Sequence, residues 1–259
     1  MLINISSVQI LTAVTATFLQ GRLMLSSSSV AILSDGPSRV FGPMTCIVSF
    51  TLYNALSSYG ELLIVHTMFC RYRMLQSSQM KTAELLLSYA MVSIWPVLSL
   101  VLPHITFFRF DIVMEEGIRE HPNYNLERYG DFGGFIVSDP IQTTILLMSF
   151  TIVTASPILI CYVKRLTLRT LDANQQYTAK TVQNSKMFLK AFTLQAIAPV
   201  FCFLPTSLMA FFARTFQLEV VFIEYLMLAI AALPCVIDPL IAIYFVPSYR
   251  AWIMKKLCK

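Results

Sequence analysis

Two carboxylates stand in stretches otherwise too apolar to hold them. Glu61 lies well inside a long apolar block, ten residues before Arg71, a helical distance of roughly 15 Å. Asp238 lies in the last apolar block, directly before Pro239. An ionisable group in hydrocarbon is costly, so each is a candidate for a polar contact in an internal cavity. The alternative is a protonated or hydrogen-bonded packing residue. Glu219 and Glu224 fall near the outer end of the last block, where interfacial placement is expected. Prolines punctuate the same blocks: Pro96, Pro157, Pro199, Pro205, Pro234 and Pro239. Each removes a backbone hydrogen bond and favours a kink, and kinked helices leave cavities and hinges.

No catalytic constellation accompanies these residues. The chain has no nucleophile elbow, phosphate-cradling glycine loop, zinc signature or paired carboxylate within one block, and only 8 glycines. Neither enzyme activity nor a cofactor is expected. The six cysteines (Cys46, Cys70, Cys161, Cys202, Cys235, Cys258) form no CxxC or Cys/His cluster; most sit in apolar blocks, as small buried hydrophobes do. The three histidines are far apart, so no metal site is expected. No basic n-region with a short apolar core and cleavage site marks a removable signal peptide.

The elements that position these residues follow from composition. Apolar residues make up 56% of the 259 and charged ones 13%, against about 25% charged in soluble domains. Too few polar groups remain to cover a soluble surface. The apolar residues collect into six blocks, about 5–24, 43–70, 83–103, 139–163, 188–212 and 219–246, within one transmembrane domain of residues 1–259. Blocks of this kind are the length a helix needs to cross about 30 Å of hydrocarbon. They are not the alternating ten-residue segments of a barrel, so the expected class is all-α membrane with six transmembrane helices.

The net charge of +5 points to the lipid bilayer through its distribution, with no nucleic-acid partner expected. Thirteen of the 19 basic residues lie on one side, in the loops after the second and fourth blocks and in the tail. That side is read as cytoplasmic. The opposite loop, about 104–138, carries six acidic residues against Arg109, Arg119 and Arg128. Six spans then place both termini in the cytoplasm, where the single sequon, Asn4-Ile5-Ser6, would be inert.

Five segments, in order, carry a resemblance to a known family. "LQGRLMLSSSSVAILSDGPSRVFGPMTC" (19–46) is similar to the second-helix exit and first outer loop of nematode serpentine receptors of class d (Srd), within the Str group. "RYRML" (71–75) resembles that family's aromatic-arginine motif at the inner end of helix three. "HPNYNL" (121–126), "KAFTLQAIAP" (190–199) and "VIDPLIAIYFVPSYRAW" (236–252) resemble its outer-loop, sixth-helix and seventh-helix segments. The resemblance implies a G-protein-coupled odorant or pheromone receptor in the plasma or ciliary membrane of sensory neurons. Its six blocks would be helices two to seven of a rhodopsin-like seven-helix fold, with the first helix absent. Partners would be a small-molecule ligand and a heterotrimeric G protein.

By analogy the ligand cavity opens to the outer side, with Glu61 as a lining candidate. Arg71 and Arg73 would face the G protein or hold the inactive state; the alternative is anchoring to anionic headgroups. Pro199, Pro205, Asp238, Pro239 and Tyr244 are candidate kink and switch positions, although Asp238-Pro239…Tyr244 is spaced more widely than the rhodopsin-like Asn/Asp-Pro…Tyr motif. The family's Gly-Pro-Cys in the first outer loop is Gly36-Pro37-Ser38 here, so no disulfide is expected at Cys46. Two other readings compete. A small secondary transporter also uses kinked helices and buried carboxylates, but the matching broken helices of an internal repeat are not seen. A non-functional receptor fragment is the other.

Overall fold

The computed structural model describes residues 2–76, 81–105, 109–173, 178–216, 220–246, 250–251 and 255–256. Glu219, Cys258 and Trp252 lie outside the described residues. The chain opens with helices α1 (Leu2–Leu19) and α2 (Pro43–Gln76). α3 (Thr82–Ile105) and the short α4 (Phe110–Glu120) follow. The remainder is α5 (Pro140–Ala173), α6 (Ala179–Thr215), α7 (Val221–Ala232) and α8 (Pro234–Phe245). Among the described residues, four helical segments are long and apolar enough to cross a membrane: α3, α5, α6 and the 25-residue α7–α8 pair. The break at Leu233 falls just before Pro234, whose ring pre-sets φ for a helix start and supplies no N–H to the preceding turn.

α2 is absent from that apolar set because it sits at the centre. α1, α3, α5 and α6 all pack on it. Its buried residues include Ser49, Thr51, Ser58, Glu61, His66 and Thr67 as well as Leu63, Ile64 and Met68. A helix screened by its neighbours can be polar; the neighbours cannot. α3 therefore turns Leu86, Leu87, Met91, Ile94 and Val97 outward, Leu87 with 66% of its surface exposed. So large an apolar exposure suits a lipid-facing surface. The central core joins Leu63, Ile64 and Met68 of α2 to Ile160 of α5 and to Phe192 and Ala196 of α6.

One end of the bundle departs from the all-helical expectation. Three antiparallel strands, β1 (Gly21–Leu25), β2 (Ser29–Ser34) and β3 (Gly133–Ile136), form a sheet in the order β1-β2-β3. Arg22 pairs with Leu33, and Val30 with Phe135. The first apolar block, read to residue 24, thus stops being helix at Leu19. Gln20 turns the chain with φ +39°, and the apolar run continues as a strand that buries alternate residues, Arg22 and Met24. β3 arises inside the acidic 104–138 segment, which also folds α4. A Cβ at Gly134 would lie 1.9 Å from the Val30 carbonyl oxygen, so only glycine lets β3 approach β2 this closely.

Two further contacts hold the sheet over the bundle. Met24, Ala31 and Leu33 pack on Val113, Leu126 and Phe132 of the 104–138 segment. The tip of the β1–β2 hairpin is clasped by α4: Glu116 accepts from the Ser28 amide at 2.9 Å, the Ser28 hydroxyl at 2.6 Å and the Ser27 hydroxyl at 2.9 Å. Glu120 accepts from the Ser27 amide at 2.8 Å. Arg214 at the end of α6 donates to the Ser27 carbonyl at 2.7 Å. Burial acts to raise the Glu116 carboxyl, but the hydrogen bonds from the hairpin serines outweigh it and bring it down to about 2. Behind the hairpin, Ser38 donates to the Cys46 sulfur at 3.7 Å, with both side chains buried.

Two outcomes follow from these contacts. Glu116 sits below its ordinary value in the folded protein, so its stabilisation is fully present above about pH 4.5 and is lost as pH falls toward about 2. Glu116→Gln should flatten that part of the pH profile, read as the wild-type-minus-variant difference in thermal unfolding of detergent-solubilised protein. Ser38→Cys should form a disulfide with Cys46 under oxidation. Closing so short a loop stabilises by about 2–3 kcal/mol on the chain-entropy model. Thiol counting and a reductant-sensitive rise in Tm check it; the introduced thiol and Cys46 both still free after oxidation, beside the chain's other five cysteines, would refute it.

Candidate functional site

The two intramembrane carboxylates, 177 positions apart in sequence, line the same cavity. It has a volume of about 100 Å³ and lies between α1, α2, α5, α6 and the α7–α8 pair. α2 presents Tyr53 and Glu61, α1 presents Gln9, α6 presents Pro199 and Cys202, and α8 presents Asp238. The sequence produces this arrangement through its breaks. Pro199 cannot donate to the Gln195 carbonyl, four residues earlier; separately, the Gln195 side chain donates to the Asp238 main-chain carbonyl at 3.0 Å. That bond ties α6 to α8 immediately before Pro239.

Asp238 is 3% exposed and Glu61 7%. Gln9 Nε2 donates to Asp238 Oδ2 at 2.6 Å, and the Ser156 hydroxyl donates to Glu61 Oε2 at 3.3 Å. Asp238 Oδ1 has no hydrogen-bond partner among the described residues. Acceptors buried in this way can hold a hydrogen-bond donor or a positive charge more strongly than water-exposed ones would.

A second cavity, about 280 Å³, lies toward the sheet. Leu19, Gly21, Tyr53, Tyr225 and Leu228 line it, with Asp35 at one side. Tyr53 lines both chambers. Asp35 is already occupied: it accepts from Arg128 Nη2 at 3.0 Å, the Tyr129 hydroxyl at 3.2 Å and the Tyr225 hydroxyl. Over this chamber Arg22 of β1 reaches α7 and bonds Glu224 at 2.6 Å, each side chain 6% exposed. The Arg22 guanidinium also stacks on the Tyr124 ring, 4.6 Å from its centroid. Glu224, expected from the sequence near the outer end of the last block, is half of a buried ion pair that fastens the sheet to the bundle. Removing one member of such a pair strands the other charge, at a cost of about 3–5 kcal/mol.

The remaining expected residues divide between the cavity and elsewhere. Pro199 lines the inner chamber, and Pro239 follows Asp238 in α8. Pro205 is exposed on α6. Tyr244 is 67% exposed and packs edge-on against Phe245 at 4.9 Å, so it is not brought to Asp238. At the opposite end from the sheet, Arg71 lies over the Phe188 ring at 3.9 Å and near Phe192 at 5.6 Å, joining α2 to α6. Arg73 meets Glu84 at 3.9 Å, both about half exposed, a contact of little energy. Sequence reasoning missed Gln9, Tyr53, Asp35 and Tyr225. The first two are neutral residues in apolar helices and carry no charge signal; the last two acquire meaning only when the sheet folds back.

The family described as serpentine type 7TM GPCR chemoreceptor Srd matches residues 1–255 of the chain. Serpentine receptor class delta-59 of Caenorhabditis elegans is 26% identical over 261 residues, covering 98% of this chain and 80% of the relative. Serpentine receptor class delta-63 of the same organism is 24% identical, covering 93% and 77%. Serpentine receptor class delta-50 is also 24% identical, covering 96% and 77%. No solved structure matches. The family is one of chemoreceptors rather than enzymes or transporters.

Proposed function

The chain belongs to the Srd family of serpentine seven-transmembrane G-protein-coupled chemoreceptors, and from that premise we propose that the two chambers on either side of Tyr53 are where its chemosensory ligand binds. Membership makes it a multi-pass membrane protein whose family function is chemosensory reception. The observation that carries the ligand-site reading is the convergence of Glu61 and Asp238, from distant helices, on one buried cavity that adjoins an apolar chamber. Ligand pockets are concave and mostly apolar, with a few convergent polar groups.

In this reading α1, α2, α3, α5, α6 and the α7–α8 pair are the receptor's second to seventh helices. The ends of α2 and α5 that hold Arg71, Arg73, Lys164 and Arg165 face the cytoplasm by the excess of basic residues, as do the start of α1 and the end of α8. The sheet then faces outward as a cover on the ligand chambers. The receptor resides in the plasma or ciliary membrane of sensory neurons. Arg71 and Arg73 form the end that meets the heterotrimeric G protein, with the Arg71–Phe188 contact holding α2 against α6 until a ligand acts. A desolvated cation–π contact of this kind contributes about 2 kcal/mol, enough to bias a two-state equilibrium about thirtyfold. Gln195, bonded to Asp238, gives α6 a direct link to the cavity.

Two experiments test the reading in cells expressing the receptor at matched surface levels. Glu61→Gln should shift the dose–response curve to higher ligand concentration, and an unchanged curve would remove Glu61 from the site. Joint neutralisation of Arg71 and Arg73 to glutamine should weaken G-protein coupling with ligand binding retained. Coupling that persists while only membrane insertion changes would make both residues headgroup anchors instead.

A further inference from the structure

The inner chamber carries an imbalance of charge and hydrogen-bonding capacity that its own residues do not resolve. Two carboxylates line it, and no lysine, arginine or histidine is among the described residues around it. Gln9 occupies one oxygen of Asp238, and Ser156 makes a 3.3 Å bond to Glu61. Asp238 Oδ1 is buried without a partner among the described residues, and Tyr53, 4% exposed, brings its hydroxyl to the same cavity and also lines the outer chamber. A buried polar atom left unpaired costs about 1–3 kcal/mol, more when it is charged. Ionising both carboxyl groups facing one cavity would add to that cost, and a cation between them would remove it.

An ammonium group meets each part of this requirement. It brings one positive charge and three N–H donors to a site lined by carboxylate oxygens and a phenol oxygen, each able to accept. A chamber of about 100 Å³ holds it together with a few waters, since a single water needs only about 10–15 Å³ measured in this way. A neutral alcohol supplies one donor and no charge, and an anion is repelled. The adjoining chamber of about 280 Å³, walled by Leu19, Leu228 and Ala229, suits a short hydrocarbon chain. Tyr53, which lines both, stands where the head and tail of such a molecule would join.

We propose that the inner chamber is a cation site that takes the ammonium head of a small alkyl amine between Glu61 and Asp238, with the hydrocarbon tail in the outer chamber. The proposal rests on the chambers being the ligand site and adds the chemical class of the ligand. A hydrated monovalent metal ion shares the charge but has no tail, and the test separates the two.

The experiment uses the full chain in lipid nanodiscs, in sodium-free buffer with N-methylglucamine as the cation. Thermal unfolding is followed against added n-hexylamine hydrochloride, 1-hexanol or sodium chloride. Hexylamine should raise Tm at lower concentration than hexanol. Asp238→Asn and Tyr53→Phe should each weaken the hexylamine midpoint by about tenfold, the loss of one hydrogen bond to a charged group, and leave hexanol unchanged. Comparing the ligands on the unsubstituted chain keeps the test decisive even where Asp238→Asn does not fold. Equal effects of hexylamine and hexanol would overturn the cation site while leaving the chambers a ligand site. Stabilisation by sodium that hexylamine does not compete away would assign the chamber to an inorganic ion and overturn the amine. If neither organic probe raises Tm or shields the cavity cysteines Cys202 and Cys235 from a thiol reagent, the ligand-site reading fails with it.

Discussion

Hydrocarbon offers no hydrogen bonds, so each polar group at membrane depth must find its partner inside the protein, and in this chain that demand converges on α2. Its buried serines, threonines, histidine and Glu61 are tolerable only because α1, α3, α5 and α6 surround it. The surrounding helices take the opposite character for the same reason, turning leucine, methionine and isoleucine outward. From this division the rest follows. The cavity opens beside the polar helix, the proline breaks fall on the helices that border it, and Gln195 ties α6 to α8 through the Asp238 carbonyl.

The two ends of the bundle solve different problems. At the sheet end, a buried Arg22–Glu224 pair, the Glu116 clasp and a small apolar core of Met24, Leu33 and Val113 fix a cover in place. A strand pair alone would be marginal in water; backed by α4 and held by these contacts, it becomes part of the domain. At the other end the connections are lighter. Arg71 rests on two phenylalanines of α6, and Arg73 makes one long, half-exposed ion pair. The sheet end is thus held by buried polar and apolar contacts together, and the other end by a few side chains.

Much of this was legible along the chain, and the exceptions have a common cause. Glu61 and Asp238 stood out because a charged residue amid apolar ones is visible one-dimensionally. Gln9 and Tyr53 complete the same cavity yet are neutral, so nothing local marks them. Arg22 read as the end of a span and Glu224 as an interfacial carboxylate, because 202 positions separate them. The sheet was hidden twice: β1 continued the apolar run of α1, and β3 lay in a segment whose acidic residues suggested a loop. Hydropathy averages over about 19 residues, and a five-residue strand leaves no trace in such a window.

Composition, block length and the placement of lysine and arginine were enough to establish a helical membrane protein and to propose its direction, since transfer from water to lipid depends on side-chain content more than on contacts. Ordered motifs, Arg71-Tyr72-Arg73 and Asp238-Pro239 among them, were enough to point to the chemoreceptor family. Which residues share a cavity was decided only by the fold. A cavity wall is assembled from helices whose order around the bundle and rotation about their axes depend on packing between distant segments. The two carboxylates were therefore visible separately in the sequence, and their meeting beside Tyr53 belongs to the tertiary structure alone.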